Sequence, residues 1–494
     1  MSTPGVAPRL DLLFEPRGVV VVGASSHPGK FGFVALHNIL SQGYPGTVRA
    51  TNRDGGTILG VEAARSIDDL PAGDAIDLAF VCTPASANLD VLEACARRGI
   101  GAAFVTSAGY REAGDDGRRE EERLVAAARA HGIVLAGPNG QGVVSTPAGL
   151  CAQIVAPYPP AGRIAIASQS GNFVSSFLNY ARQTGVGVSR AVSAGNAAAL
   201  DVIDYVEYYA ADPATSVALV YVEGIADGRA LFERLRTVSA AMPVVLLKGG
   251  ASAGGERAAA SHTGALATDD RVFDGMCAQA GVARARTVEE AFEAAATFAT
   301  QPLPAGPRVA VVTTAGGWGV VTADAITFER DLELVALPDD LRAAVDAELP
   351  PRWSRRNPID LAGGETRDTI PTVLDLVASH PGIDAVVYLG IGIQSNQARM
   401  MREGPFHPDG GLERIVAYHE RQDRRFAEAA AEVGERTGKP VLTATELAVA
   451  DPDNPGPVGV RATGRLCYAS SNRAVGALAH LVRYARWRRA RTPA

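Results

Sequence analysis

The sequence has 494 residues, of which 47% are hydrophobic and 20% are charged, and its formal net charge is −7. This is the composition of a folded globular protein of roughly two to four domains, so it excludes an intrinsically disordered chain. The acidic balance argues against nucleic acid or an anionic membrane surface as the main partner.

The hydropathy of the sequence and the spacing of its cysteines indicate its cellular compartment and whether it binds a metal. No basic-then-apolar leader is recognisable, and no apolar run approaches the roughly 18 residues that span a bilayer. The five cysteines are scattered and contain no Cys-x-x-Cys pair, which indicates neither a disulfide framework nor a zinc site. We therefore expect a cytoplasmic protein that does not act at a membrane and binds no metal on this chain.

Three segments share one pattern, in which a short run rich in Val or Ile breaks into small residues and then resumes at helical spacing. They are "RGVVVVGASS" (17–26), "GRIAIASQSGN" (162–172) and "PRVAVVTTAGGWG" (307–319). Each predicts a buried parallel strand followed by a loop and a helix, which is the start of a doubly wound α/β unit. Proline-rich joints precede the second and third starts. We predict three domains, at residues 1–150, 151–300 and 301–494.

The first glycine-rich loop, "VVGASSHPGKFGF" (21–33), is not a Walker A motif. Five residues separate Gly23 from Gly29, and Phe31 stands where a magnesium-binding Ser or Thr should be. It does not match Gly-x-Gly-x-x-Gly either. Small residues before a helix N-terminus still favour a phosphate group. The loop therefore predicts a nucleotide-like phosphate ligand, with a tight turn that binds nothing as the alternative.

The stretch "AAASHTGALA" (258–267) places His262 among small residues, after a predicted strand and a glycine-rich loop. Asp269 and Asp270 then fall in the first turn of a predicted helix, where the helix dipole favours acids. A neutral imidazole is a competent nucleophile near pH 7 and can carry a phosphoryl group. We interpret His262 as a candidate phosphoryl carrier on a loop at the start of a helix.

Two other loops could serve such a histidine. "SQSGN" (168–172) lies between a predicted strand and helix, where Ser168, Ser170 and Gly171 can donate to an anion. In "YVEGIADG" (221–228), Glu223 ends a strand and could orient an imidazole through its second nitrogen. The alternative for Glu223 is a solvated strand end.

Together these motifs resemble a known family. The order VVGAS…PGK, SAGYREAG, GPN-x-x-G, SQSGN, SAGN, YVEGI-x-DGR and SHTGALA is similar to that of the α subunits of nucleoside-diphosphate-forming acyl-CoA synthetases, relatives of succinyl-CoA synthetase. The likeness covers the first two domains nearly end to end and continues more loosely in "NPIDL" (357–361). It implies an α/β fold with an N-terminal Rossmann-like CoA-binding domain and two flavodoxin-like, succinyl-CoA-synthetase-like domains.

The resemblance also implies a reaction. An acyl-CoA and phosphate give an acyl phosphate and CoA, and the phosphoryl group passes to a histidine on a swinging loop and then to a nucleoside diphosphate. It places the phosphohistidine at His262, with Glu223 as the supporting acid. Phosphate contacts are expected from Ser168, Gln169, Ser170, Gly171, Ser261, Thr263 and Gly264. CoA contacts are expected from Gly23, Ala24, Ser25, Lys30, Arg53, Thr83 and Pro84.

The three predicted α/β domains account for the length of the sequence. The resemblance therefore implies that the nucleotide binds to a different polypeptide. We expect a separate ATP-grasp β subunit that binds ATP or ADP with Mg²⁺, in an α2β2 heterotetramer. The expected substrates are an acyl-CoA or the corresponding carboxylic acid.

Departures from the family pattern leave an alternative open. Asn52-Arg53-Asp54 replaces the usual Asn-Pro-Lys, Gly140 replaces a cysteine, and residues 314–317 read Thr-Ala-Gly-Gly instead of Asn-Gly-Gly-Gly. The alternative is a CoA-binding regulatory protein of the same fold without phosphoryl transfer. A nicotinamide dehydrogenase is supported only by the first strand-glycine-helix start.

Overall fold

The computed structural model describes residues 9–155, 157–225, 227–252, 254–255, 257, 269–361, 368–446 and 451–491. The chain divides into two compact units, Met1–Arg182 with Gly187–Arg286 and Gln183–Val186 with Thr287–Ala494. The first unit contains two β-sheets and the second contains one. In the ranges just given, no helix combines the length and the apolar character that crossing a bilayer requires.

The first sheet begins with the valine run of the first predicted start. Its strands are β1 Gly18–Val22, β2 Thr47–Thr51, β3 Thr57–Ile58, β4 Val61–Ala64, β5 Leu78–Val81, β6 Ala102–Val105 and β7 Val134–Ala136. Their order is β3-β4-β2-β1-β5-β6-β7, parallel except for the β3–β4 pair. Every residue of β1 is buried, as expected for a strand covered on both faces. The helices are α1 Asp11–Phe14, α2 Phe31–Ser41, α3 Asn88–Arg97 and α4 Asp115–Ala130.

The second sheet also lies in the first unit. Its strands are β8 Gly142–Ser145, β9 Leu150–Gln153, β10 Ala161–Ser168, β11 Val188–Ser193, β12 Val217–Val222, β13 Val244–Lys248 and β14 Ala283–Ala285. The order β14-β13-β12-β10-β11-β8-β9 contains a parallel flavodoxin-like core, extended at one edge by the antiparallel β8–β9 hairpin. The helices are α5 Gly171–Thr184, α6 Val202–Ala211, α7 Gly228–Ala241 and α8 Asp270–Ala280.

The β8–β9 hairpin connects the two sheets of the first unit. β8 pairs with β11, and β9 packs against α2 of the first sheet. The Asn38 side chain of α2 donates a hydrogen bond to the carbonyl of Gln153 in β9 at 2.8 Å. One hydrophobic core accordingly runs from α1 and β1 to the strands of the second sheet.

The second unit is built around the third sheet. Its strands are β15 Arg308–Thr313, β16 Glu333–Leu334, β17 Ile359–Asp360, β18 Ala385–Leu389, β19 Val441–Ala444 and β20 Cys467–Tyr468. All pairs are parallel in the order β16-β15-β18-β19-β20, and β17 also pairs with β15. The helices are α9 Val288–Thr300, α10 Gly316–Phe328, α11 Asp339–Glu348, α12 Thr369–Ser379, α13 Ile393–Glu403, α14 Leu412–Thr437, α15 Pro455–Ala462 and α16 Ser471–Arg491.

The predicted fold class is confirmed. The three predicted starts become β1, β10 and β15, and each strand leads through a small-residue loop into a helix, namely α2, α5 and α10. The strand orders are those of one Rossmann-like and two flavodoxin-like sheets.

Candidate functional site

The candidate site lies at the carboxyl edge of the second sheet, where three neighbouring strands end. Ser168, the last residue of β10, is in register with Tyr221 of β12. The next residue of β12, Val222, is in register with Lys248, the last residue of β13. The loops that follow the three strands are therefore neighbours, at the edge where open α/β sheets bind their ligands.

The loop after β10 forms a tight turn into α5. Ser168 is buried, and its hydroxyl donates to the carbonyl of Ser170 at 2.7 Å and accepts from the Ser170 amide at 3.1 Å. The helix begins at the next residue, Gly171. Amides in the first turn of a helix lack intrahelical partners, and the helix dipole adds to their attraction for anions. This geometry suits an anion, and contact with phosphate stays a prediction.

Gln169 joins this loop to the loop after β12. Its Oε1 accepts from the amides of Glu223 at 2.6 Å and Gly224 at 3.1 Å, and its Nε2 donates to the Gly224 carbonyl at 3.0 Å. The Gln169 amide itself donates to the carbonyl of Tyr221. Gln169 therefore shapes the two loops, and its predicted contact with phosphate stays a prediction.

Replacing Gln169 by leucine should destabilise this edge, because the amides of Glu223 and Gly224 would lose their acceptor. A fully buried amide without an acceptor costs about 1–3 kcal/mol, and these amides are only half-buried, so we expect a loss of about 1 kcal/mol. Each kcal/mol lowers the melting temperature by about 2–4 °C in a unit of this size. Calorimetry on the wild type and the variant measures the shift. Gln42 is exposed at the end of α2 and serves as the control, since Gln42→Leu should leave the melting temperature nearly unchanged. Equal melting temperatures for all three proteins would contradict the linking role.

Glu223 follows β12 directly and is half-buried. The hydroxyl of Tyr221 donates to Glu223 Oε1 at 3.0 Å. The ring of Phe173 in α5 packs against the ring of Tyr221, with centroids 4.1 Å apart. The carboxylate is thus held next to the loop that starts α5, where it can accept a hydrogen bond from a ligand or an imidazole.

The glycine-rich loop after β1 is fixed to the loop after β2. Gly23 has a positive φ of 80°, and the amides of Gly23 and Ala24 donate to the carbonyl of Thr51 at 3.1 and 2.9 Å. The Asn52 side chain donates to the Ala24 carbonyl at 2.8 Å. Lys30 is exposed and immediately precedes α2. The loop therefore has a fixed backbone with a cation at the start of a helix.

The other predicted CoA residues lie at the same edge of the first sheet. β1 is flanked by β2 and β5, so Arg53 and Thr83 follow the two strands next to it. Thr83 Oγ1 donates to Asn88 Oδ1 at 2.8 Å, and Pro84 precedes a short 3₁₀ turn. The hydroxyl of Ser25 accepts from the His27 amide at 3.0 Å. The structure brings these residues to one sheet edge; their contact with CoA stays a prediction.

Loops from both sheets of the first unit line one cavity of about 910 Å³. It is lined by Gln169, Ser170, Gly171, Asn172, Glu223, Gly224 and Ile225, by Asn139, Gly140 and Gln141, and by Gly195 and Asn196. The first sheet contributes Phe31, Thr106, Arg111, Glu112 and Arg118. Because Phe31 follows Lys30 directly, the start of α2 and the loop after β10 border the same space. A phosphorylated ligand that reaches both would lie in this cavity.

His262 lies outside the described residues, as do Ser261, Thr263 and Gly264. The flanks of their segment are described. The Lys248 ammonium donates to the carbonyl of Gly250 at 3.0 Å and lies 3.6 Å from Asp270 Oδ1. Helix α8 begins at Asp270, which lies in the first turn as predicted, whereas Asp269 is the N-cap that precedes it. Both flanks therefore meet at the end of β13, two strands from Ser168.

Comparison with known proteins decides the family. Residues 17–146 match the family described as CoA binding domain, 161–298 the succinyl-CoA ligase like flavodoxin domain, and 309–393 the Ligase-CoA domain. Acetate–CoA ligase [ADP-forming] I subunit alpha of Pyrococcus furiosus is 35% identical over 384 residues, which cover 77% of this chain and 82% of that protein. The chain belongs to the ADP-forming acyl-CoA synthetase α subunits.

Two further comparisons place this α subunit within its family. Acetate–CoA ligase [ADP-forming] I of Archaeoglobus fulgidus is 35% identical over 378 residues, which cover 76% of the α subunit and 54% of that longer protein. The structure of the dinucleotide forming acetyl-coenzyme A synthetase 1 of Ca. Korarchaeum cryptofilum in complex with phosphate and ADP aligns with a TM-score of 0.83 at 29% identity, covering 99% of the α subunit and 100% of that chain.

These findings confirm the predicted family, fold and enzyme class. The α subunit is an acid–thiol ligase of the ADP-forming type, and its family involves CoA and a nucleotide. Relatives described as subunit alpha imply a partner subunit. The regulatory protein without phosphoryl transfer is not favoured.

The sequence missed a polar network at the edge of the cavity. Asn196 Nδ2 donates to Glu112 Oε2 at 2.6 Å and to Glu121 Oε2 at 2.7 Å. Burial tends to raise the pKa of Glu112, but hydrogen bonds from Asn196 and from the amides of Gly109 and Tyr110 outweigh it, so this pKa lies below its usual range. The α subunit thus keeps an ionised carboxylate beside the cavity. The motifs SAGYREAG and SAGN contain Glu112 and Asn196 but not Glu121, and their spacing does not reveal that these residues meet.

One departure from the family pattern has a steric explanation. A Cβ at Gly140 would lie 2.6 Å from the carbonyl oxygen of Ser193 and 2.7 Å from the ring of Phe104. This α subunit therefore has no room for the cysteine expected at residue 140 unless its neighbours move.

Proposed function

We propose that the α subunit, with its partner, interconverts acyl-CoA, phosphate and ADP with carboxylic acid, CoA and ATP through an acyl phosphate and a phosphohistidine at His262. The observation that supports this most is the shared cavity, which Glu223, residues Gln169–Gly171 and the start of α2 all border. A carboxylate, an anion-binding helix start and a predicted CoA loop are the parts that such a reaction needs in one place.

In the first step, a phosphate oxygen attacks the thioester carbonyl carbon, the carbon–sulfur bond breaks, and CoA leaves as the thiol with acyl phosphate as the product. In the second step, an imidazole nitrogen of His262 attacks the phosphorus, and the carboxylate leaves with the bridging oxygen. The α5 N-terminus and the Ser170 hydroxyl are proposed to stabilise the developing negative charge, while the buried Ser168 hydroxyl holds the turn through its hydrogen bonds with Ser170. The phosphoryl group finally passes from His262 to ADP.

The CoA site is proposed at the carboxyl edge of the first sheet. It comprises Gly23, Ala24, Ser25, Lys30, Arg53, Thr83 and Pro84. Lys30 and Arg53 carry the positive charge that CoA phosphates require, and both are exposed at the loops after β1 and β2. Ser261, Thr263 and Gly264 flank His262 and are proposed to contact the transferred phosphoryl group.

The partner is proposed to be an ATP-grasp β subunit that binds ADP or ATP with Mg²⁺ in an α2β2 assembly. The longer Archaeoglobus relative supports a partner polypeptide, since this chain covers only 54% of it. Relatives described as acetate–CoA ligases make acetate the first acid to test.

We also place the enzyme in the cytoplasm. Its five cysteines are all free thiols. Burial raises the pKa of Cys95 and of Cys151 to about 12, so these thiols stay protonated and unreactive. Five cysteines without a disulfide bond are typical of a protein in a reducing compartment.

Glutamine in place of Glu223 should slow phosphoryl transfer about 10–100-fold, the usual effect of losing the carboxylate that orients a histidine. The affinity for CoA should stay within about twofold of the wild type, because Glu223 does not belong to the proposed CoA site. Single-turnover transfer from phosphorylated enzyme to ADP measures the rate, and calorimetric titration measures CoA binding. Glu93 is exposed on α3, so Glu93→Gln serves as the matched control. Unchanged turnover in Glu223→Gln would remove this carboxylate from the mechanism.

The proposed function itself is tested with ³²P-phosphate and a panel of acyl-CoAs, with and without the ATP-grasp subunit. Acid-labile, base-stable label on the wild type, absent from His262→Ala, is the expected result. The acyl-CoA that gives the fastest labelling identifies the acid. CoA binding without label, in the presence of every acyl-CoA and the partner, would contradict the proposal.

A further inference from the structure

Tyr221 holds the Glu223 carboxylate from inside the protein. Its hydroxyl donates to Glu223 Oε1 at 3.0 Å, and only 6% of the tyrosine is exposed. Burial, and secondly the charge of Glu223, raise the pKa of the phenol, so it stays protonated and acts as the donor. A buried hydroxyl with a charged acceptor forms a stronger hydrogen bond than an exposed neutral pair.

The tyrosine ring is itself fixed by the helix that starts at the predicted phosphate loop. Phe173 lies in the first turn of α5, and its ring centroid is 4.1 Å from that of Tyr221 with an interplanar angle of 34°. Gln169 links the same two elements through the backbone of Glu223. The position of the carboxylate is thus determined relative to the helix N-terminus by two independent contacts.

Gly249 packs against the Tyr221 hydroxyl and the Glu223 side chain. It follows β13 directly, and its amide donates to the carbonyl of Val222 at 2.8 Å. A Cβ at Gly249 would lie 2.6 Å from the Tyr221 hydroxyl oxygen and 3.2 Å from Glu223 Cγ. Glycine is therefore required if the hydroxyl is to keep its place. The chain that continues toward His262 consequently starts against the Tyr221–Glu223 pair.

We propose that Tyr221 is a positioning residue for phosphoryl transfer, whose hydroxyl fixes the rotamer of Glu223 between the start of α5 and the chain that leads to His262. This inference rests on the proposed function and adds a residue to it. A free glutamate side chain samples several rotamers, and displacement of an orienting group by about 1 Å can slow a reaction on the order of a hundredfold.

The test is Tyr221→Phe, which keeps the ring and its contact with Phe173 and removes one oxygen. Single-turnover transfer of the phosphoryl group from phosphorylated enzyme to ADP should slow about tenfold. The Kd for CoA should change by less than about twofold. Tyr205→Phe is the matched control, because Tyr205 is also buried and its hydroxyl has no hydrogen-bond partner in the part of the chain that the structure describes. It should transfer at the wild-type rate.

A double-mutant cycle separates positioning from a general structural effect. In a Glu223→Ala background, Tyr221→Phe should change the rate by less than about twofold, because the group that it positions is gone. If the double variant showed the product of the two separate rate reductions, the inference would be overturned. Gly249→Ala provides a second variant, since its Cβ displaces the hydroxyl without removing it, and it should also slow transfer about tenfold. A wild-type rate in either variant would also overturn the inference.

The inference and the proposed function fail in different ways. A wild type that never becomes labelled contradicts the function, whereas a labelled wild type with an equally fast Tyr221→Phe contradicts the inference alone. The same double-mutant cycle can be measured by melting temperature, which requires no enzymatic activity. The changes in melting temperature caused by the Tyr221 and Glu223 substitutions should then be non-additive. Additive shifts would show that the hydrogen bond does not couple the two residues and would overturn the inference.

Discussion

Alanine at residue 262 is expected to lower acyl-CoA-dependent phosphorylation of ADP by at least about a thousandfold, the scale seen when a covalent nucleophile is removed. The methyl group of alanine cannot accept a phosphoryl group, so the route from acyl phosphate to ADP is closed. Attack of phosphate on the thioester does not need the imidazole, and slow formation of acyl phosphate should remain. Trapping with hydroxylamine measures that residual product.

The stability of the His262→Ala variant should match the wild type within about 1–2 °C, because the residues on both sides of His262 in the sequence, 258–261 and 263–265, have small side chains. His131→Ala is the matched control, since His131 is exposed at the end of α4. It should retain both label and turnover. Full phosphorylation of ADP by His262→Ala, or a large loss of its thermal stability, would contradict the proposed role.

Alanine at Gly32 is expected to destabilise the first unit and to weaken CoA binding. Gly32 lies in the first turn of α2, and a Cβ there would lie 2.1 Å from the carbonyl oxygen of Gly23 and 2.9 Å from Cα of Ala24. Both contacts are with backbone, which cannot rotate away. Overpacking of this kind costs about 3 kcal/mol or more, which corresponds to roughly 6–12 °C in melting temperature. The helix must move off the loop whose geometry the proposed CoA site uses.

Calorimetry and CoA titration measure both effects of Gly32→Ala. Gly275 is the matched control, because it lies inside α8 and a Cβ there meets no atom within 4 Å. Gly275→Ala should raise stability by roughly 0.5–1 kcal/mol through the lower entropy of the unfolded chain. A Gly32→Ala variant with wild-type melting temperature and CoA affinity would show that α2 can shift at no cost.

The sequence was most informative where one physical requirement determines the residue type. Strands buried on both faces need a continuous apolar run, as in Gly18–Val22, and the loop that follows needs small residues to turn into a helix. The three sheets and the loops at their carboxyl edges could be predicted for this reason. The short strands of the β8–β9 hairpin were not predicted, because four-residue strands at a sheet edge carry little periodic signal.

Contacts between distant side chains could not be predicted. Glu112 and Asn196 are 84 positions apart, and only the folded chain shows that they meet. Tyr221 looks like any aromatic residue of a buried strand, and its role is visible only once Glu223 lies beside its hydroxyl. The contact of Gln169 with phosphate stays a prediction, but the hydrogen bonds of its side chain to the backbone of Glu223 and Gly224 could not be predicted from the sequence.

The β8–β9 hairpin also decides how this chain can be cut for expression. A fragment that starts at β10 would lack β8, and the outer edge of β11 would present an unpaired row of amides and carbonyls next to the apolar side chains Ala191 and Val192. Exposed edges of this kind pair with other chains and cause aggregation. A fragment that ends before β9 would strip α2 of the strand that covers it. The practical unit for dissection is therefore both sheets together.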